Sequence, residues 1–191
     1  MALRDYALTT VEAMQAFMRR EDLNLPLLES LINAVTDFME TYCKRRFKKT
    51  DYEAELYDGD GTRMLFLRNY PITDIASIHW TYVGVADQLI NSNEYKIYAS
   101  AGFVYREGGW IAGHQNIKIT YTAGYDFASE NGIPPELEEI CKALVALRYN
   151  QPDKSGIESE RMGSYAVSYS KEDLPADLKK RLNLWRKMDV V

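Results

Sequence analysis

Apolar residues recur every three or four positions from Leu27 to Cys43, as Leu27, Leu28, Leu31, Ile32, Val35, Phe38, Met39, Tyr42 and Cys43. A helix gathers such a set onto one stripe, because positions i, i+3, i+4 and i+7 share a face. Asn24 and Pro26 open it with start signals. A shorter stripe of Val11, Met14, Phe17 and Met18 follows Thr10, a cap residue, and carries Glu12 in its first turn. Two amphipathic helices this close in sequence predict a helical hairpin, whose apolar stripes need further elements to cover them.

The texture then changes. From about Tyr52 to Tyr125, turn signals at Asp58-Gly59-Asp60-Gly61, Asn69-Tyr70-Pro71 and Gly108-Gly109 separate short runs rich in β-formers. The clearest run is Asn116 to Thr122, where Ile117, Ile119 and Tyr121 alternate with Lys118, Thr120 and Thr122, the period of a half-buried strand. Weaker runs are Glu53 to Tyr57, Met64 to Leu67, Ile75 to Tyr82, Tyr95 to Tyr98 and Phe103 to Arg106. Helix returns after Ile133-Pro134-Pro135, with Glu136, Glu138 and Glu139 at the positive end of the dipole and a stripe of Leu137, Ile140, Cys141, Leu144 and Val145. A last helix is expected near Asp173-Leu174-Pro175, with Asp173 as cap and Leu174, Leu178, Leu182, Trp185 and Met188 on one face.

This order predicts an α+β chain: a helical bundle from residues 1–50 and 133–191, with a connecting loop over 151–172, and an inserted small antiparallel β sandwich or barrel over 51–132. The loop is polar and glycine-containing, and long for a connector. Its second half, Tyr165 to Ser170, alternates well enough to form a strand when given an edge.

Catalysis needs a positioned nucleophile, base or metal, and the material here is thin. His79 and His114 are the only histidines and neither sits in a motif. Cys43 and Cys141 lie in helical stripes without a second Cys or His at ligand spacing, so both are expected in the core. Asp58-Gly59-Asp60-Gly61 lacks the distal glutamate of a calcium loop and is expected to be a tight hairpin turn. Gly108-Gly109 has no third glycine and no following helix to hold a phosphate. No metal, cofactor or enzymatic activity is therefore expected.

A net charge of −5 argues against a chain whose task is gripping nucleic acid. Positive charge is clustered in Lys44, Arg45, Arg46, Lys48 and Lys49, expected either to finish the long helix on a solvated face or to meet an acidic partner surface or passing DNA. A second cluster is Lys179, Lys180, Arg181, Arg186 and Lys187. No run reaches the roughly 20 apolar residues of a membrane span. Met1 to Asp5 lacks a secretion-signal pattern, so assembly in the host cytoplasm is expected.

Four stretches in order resemble the tailed-bacteriophage head-tail connector family, also described as adaptor, head completion or DNA-packaging connector proteins. They are Leu27 to Val35; Asn69-Tyr70-Pro71-Ile72 with Trp110 and Ile117 to Tyr125; Ile133-Pro134-Pro135-Glu136-Leu137; and Ser159 to Tyr169. The last, Ser-Glu-x-x-Gly-x-Tyr-x-Val-Ser-Tyr between two helices, is the most specific. The resemblance implies a virion neck protein assembled as a dodecameric ring between the portal and the stopper or tail proteins, with double-stranded DNA passing through. A ring needs two different contact faces on each subunit. Expected contacts are Ser159, Glu160, Gly163, Tyr165, Val167 and Tyr169 in the loop, and Arg181, Trp185, Arg186 and Lys187 in the final helix. Removal of the chain after Leu174 is expected to leave a folded subunit. Other readings are a stopper or tail-completion protein, or a carbohydrate-binding or hydrolase module with Trp80 and Trp110 as a sugar platform.

Overall fold

The structure is a computed structural model that describes residues 2–129, 132–150 and 174–187, together with the backbone of two strands over 159–162 and 165–168. The chain is α+β and divides into two compact units, Met1–Cys43 with Pro134–Arg186, and Lys44–Ile133 with Lys187–Val191.

The first unit is helical. Helix α1 spans Val11–Met18, and the Thr10 side chain accepts from the Ala13 N–H at 3.2 Å, satisfying one of the orphan donors of the first turn. Helix α2 spans Leu25–Cys43 and buries Leu28, Ile32, Val35, Met39 and Cys43, the stripe its spacing predicts. Helix α3 spans Pro135–Asn150 and buries Leu137, Ile140, Cys141, Leu144 and Val145. Helix α4 spans Ala176–Asn183 and buries Leu178 and Leu182. It packs on α2 and α3, where the Tyr42 hydroxyl and Asn183 Oδ1 lie 2.7 Å apart and the Cys43 thiol approaches the Leu182 carbonyl at 3.7 Å. Pro175 holds the cap position, so Asp173, outside the described residues, is not the cap.

The second unit carries two antiparallel sheets that share one core without closing into a barrel. Its strands are β1 (Thr50–Gly59), β2 (Met64–Phe66), β3 (Ile72–Tyr82), β4 (Val85–Leu89), β5 (Tyr95–Tyr98), β6 (Phe103–Arg106) and β7 (Gly113–Ala123). One sheet has the order β1-β7-β3-β4 and the other β2-β6-β5. Ile78, Trp80, Ile117, Ile119 and Tyr121 from the first meet Leu65 and Val104 from the second. Trp110, fully buried, lies with its ring centroid 5.9 Å from that of Trp80 and donates its indole N–H to the Val104 carbonyl.

Asp58-Gly59-Asp60-Gly61 is not the expected hairpin turn. Strand β1 pairs with β7 while β2 pairs with β6, so this loop passes the chain from one sheet to the other. The Thr62 N–H donates to Asp60 Oδ1, and the loop is tied to the Gly108-Gly109 connection by Gly61 N–H to Trp110 C=O and Trp110 N–H to Thr62 C=O. A Cβ at Gly59 would meet the Ile111 carbonyl oxygen at 1.9 Å, so only glycine admits that close approach.

Two further strands, β8 (Ser159–Met162) and β9 (Tyr165–Ser168), pair antiparallel with each other as a sheet of their own.

Candidate functional site

The basic run does not finish the long helix. Helix α2 ends at Cys43, and Lys44 turns the chain in the left-handed region at φ 55. The run then threads into the β unit. Tyr125 N–H donates to the Phe47 carbonyl and Lys49 N–H to the Tyr125 carbonyl, a parallel bridge continued by Lys48. Arg46 N–H donates to Asn69 Oδ1 at 2.8 Å. Phe47 is buried and so is Arg45, whose guanidinium lies over the Tyr70 ring and donates to the Tyr70 carbonyl. Arg45 is therefore occupied inside the unit, because a planar cation between aromatic faces exchanges water for ring and carbonyl contacts. Lys44, Arg46 and Lys49 are exposed and Lys48 is half-buried.

The cations of α4 and of the turn after it are of two kinds. Arg181 reaches back to α3, with Nε 3.4 Å from Glu136 and Nη2 3.2 Å from Glu139. Its hydrogen bond to Glu139 leads the causes that hold its guanidinium above the ordinary value. Lys179, Lys180 and Arg186 are exposed and Lys187 is half-buried. Trp185 does not extend the stripe of α4, since the helix ends at Asn183 and Trp185 follows in a turn, half-buried, its backbone N–H donating to the Leu182 carbonyl.

In the loop, Ser159, Glu160, Tyr165 and Val167 are described by their backbones, within β8 and β9. Gly163 and Tyr169 lie outside the described residues, as does Met188. The expected contacts thus fall on separate elements: the α4 group and the hairpin, and the basic run of the β unit.

Side chains with chemical potential are taken up elsewhere. His114 Nδ1 pairs with Asp58 at 3.0 Å on the surface, and His79 is half-buried on a strand. Cys43 and Cys141 are buried free thiols. Trp80 and Trp110 lie in the core, so they form no sugar platform. Among the described residues no group of three or more His, Cys, Asp or Glu could hold a metal, and no helix is long and apolar enough to cross a membrane.

The sequence reading missed one surface. Strand β4 and its turn expose Tyr82, Val83, Val85 and Leu89, with Val83 at full exposure. The apolar residues flanking Gly84 were the available signal, masked because Val85-Ala86-Asp87-Gln88-Leu89 is exposed along its length and shows no buried alternation.

The fold is similar to that of three solved chains, each matched over all of this chain. One belongs to the neck of an empty gene transfer agent particle computed with C6 symmetry, at 14% identity, 96% of that chain and TM-score 0.62. Another belongs to the virion of a native gene transfer agent particle, at 15% identity, 95% of that chain and TM-score 0.57. A third belongs to the neck of a native particle computed with C12 symmetry, at 17% identity, 98% of that chain and TM-score 0.51. No curated protein matches the sequence. The family described as head completion protein matches residues 7–188, both units included, and the chain belongs to that family.

Proposed function

We propose that the chain is a structural, non-catalytic subunit of a virion neck, one of a ring of copies that docks on the portal and forms part of the conduit for double-stranded DNA. The observation that carries this reading is the head completion family match over residues 7–188. Chains of the same fold, matched end to end, stand in necks computed with C6 and C12 symmetry, which supports a cyclic assembly, dodecameric in the virion. A cyclic ring needs heterologous contacts that close, and the exposed cations of α4, the β8–β9 hairpin and the exposed members of the basic run supply distinct surfaces for the next copy, the portal and the stopper or tail proteins. The acidic balance of the chain suits a conduit, because a wall that released many DNA counterions would hold the DNA instead of letting it slide.

The test is mass measurement of the purified chain with and without portal, together with capture by portal and by tail tube. Ring-sized complexes formed on portal are expected. Capture by tail tube and not by portal would place the chain among tail-completion proteins.

A further inference from the structure

Among the described residues, one long unguarded edge strand and one two-stranded hairpin lack the neighbour that strand chemistry calls for. The first is β4, at the edge of the β1-β7-β3-β4 sheet. Ile90 N–H donates to the Ile78 carbonyl at 2.8 Å. By antiparallel alternation in the regular register of Ile78 to Trp80, the N–H and C=O groups of Leu89 then point away from β3. Val85 and Leu89 are exposed along this edge, and its one charge, Asp87, is neutralised by an ion pair with Lys118 of β7.

The opposite edge shows what a guarded strand looks like. Strand β1 carries exposed Asp51, Glu53 and Asp58, and its register shifts between Tyr52 and Glu55, where Ala54 has φ 51, and again between Tyr57 and Gly59. Edge charges and bulges are the devices that keep sheets from adding strands. Strand β4 has neither lysine nor proline, and its single register shift lies at the turn end, between Trp80 and Tyr82. The edges of the other sheet are short, three residues in β2 and four in β5, and β5 carries Lys96.

The second is the β8–β9 hairpin, a two-stranded sheet with no third strand among the described residues. A lone two-stranded hairpin is marginal in water and gains stability from a further strand. Of its strands, β9 has the alternation of an interface strand, Tyr165-Ala166-Val167-Ser168, whereas β8 carries Glu160 and Arg161.

We propose that β9 of one copy pairs with the free edge of β4 in the neighbouring copy, extending the four-stranded sheet across the subunit boundary. Each deficit answers the other, since unpaired strand groups are matched by an extended backbone. The contact joins two different surfaces of one chain, so it repeats head to tail, the kind of contact a closed ring requires. It rests on the ring reading above and names the elements that would make it.

The test uses the full chain assembled on portal. Copies carrying Leu89→Cys or Asp87→Cys are mixed with copies carrying Ala166→Cys or Ser168→Cys and mildly oxidised. A disulfide-linked pair in the mixture, absent from each type alone, is expected for at least one combination. A chain carrying both substitutions is expected to give a ladder of linked copies, and a fast-migrating internally linked monomer would overturn the proposal. Leu89→Pro removes an N–H that lies outside the ladder, and Leu89→Lys adds a guard charge. Both are expected to melt with the native chain and to lose rings. Native-like rings from both, with no cross-link in any combination, would overturn the β4–β9 contact and leave the ring reading standing. Absence of rings from the unmodified chain on portal would remove the ring reading and this contact with it.

Discussion

The guanidinium carbon of Arg45 lies 3.4 Å from the centroid of the Tyr70 ring, and the same group donates to the Tyr70 carbonyl. The ring of Phe47, two residues along the chain, has its centroid 5.2 Å from the same guanidinium carbon. Arg45 is 4% exposed, so it serves the β unit's own packing. A desolvated cation–π contact is worth about 2 kcal/mol and a hydrogen bond to a charged group about 1.5–3. Arg45→Ala is therefore expected to cost about 2–4 kcal/mol in urea unfolding, while Lys49→Ala, at an exposed position, changes stability by less than about 0.5 kcal/mol. Equal effects of the two would show that Arg45 is not held as described.

A second buried polar knot joins the strands of the larger sheet. The hydroxyls of Tyr57 and Tyr121 lie 3.0 Å apart and both donate to Glu55 Oε2, at 2.7 and 3.0 Å, while Arg68 N–H donates to the Tyr57 oxygen. Burial raises both phenols well above their ordinary range. Tyr57→Phe leaves the Arg68 N–H without its acceptor and is expected to cost about 1–3 kcal/mol. Tyr121→Phe leaves Glu55 the Tyr57 hydroxyl and the Arg68 guanidinium at 3.4 Å, so a smaller loss is expected, and denaturant midpoints of the two variants check the order.

The sequence disclosed those parts of the fold whose signals are local. Stripe spacing and caps placed the helices, and the alternation of Ile117, Ile119 and Tyr121 placed β7. Burial of Arg45 depends on Tyr70, 25 residues away, and nothing in Lys44 to Lys49 distinguishes it from its exposed neighbours. Strand β4 escaped because an exposed edge strand has no buried face to impose a period. The passage between sheets at Asp58 to Gly61 read as a hairpin because turn chemistry fixes the bend and not the partner.

Cys141 is fully buried, and burial pushes its thiol up to about 12, from an ordinary value of 9.0. A raised folded value means that the unfolded thiol ionises first as pH rises. The stability contribution is complete below about pH 9 and is lost as pH climbs toward about 12. Native protein at pH 8 is expected to leave Cys141 unmodified by iodoacetamide until denaturant is added, as mass mapping would report. Rapid native labelling at Cys141 would contradict its burial.

Helix α4 is part of the helical unit's core, which changes the expectation for truncation. Leu182 is fully buried and Leu178 nearly so. Replacing one such leucine by alanine costs about 2–5 kcal/mol, and deleting the helix removes both together with the Cys43 and Tyr42 contacts. A chain ending at Leu174 is expected to melt well below the full chain or fail to fold, as circular dichroism would show. Loss of portal binding in that truncation would therefore report unfolding before it reported a contact.

Surface charge on α4 gives the cleaner test of a partner contact. Lys179 and Lys180 are exposed, whereas Arg181 is engaged by Glu136 and Glu139. Reversing both lysines, Lys179→Glu with Lys180→Glu, touches no buried group and is expected to leave the melting temperature unchanged. If these cations meet an acidic face of the portal, capture slows, and the difference from the native chain is largest at low salt, where the Debye length is long, and shrinks toward about 1 M salt. Arg181→Gln, by contrast, is expected to alter the α3–α4 contact and leave the salt dependence of capture as it was. Association rates by surface capture across a salt series separate these outcomes. Equal rates for the double reversal and the native chain at low salt would remove α4 from the portal contact and leave the hairpin and the basic run as its candidates.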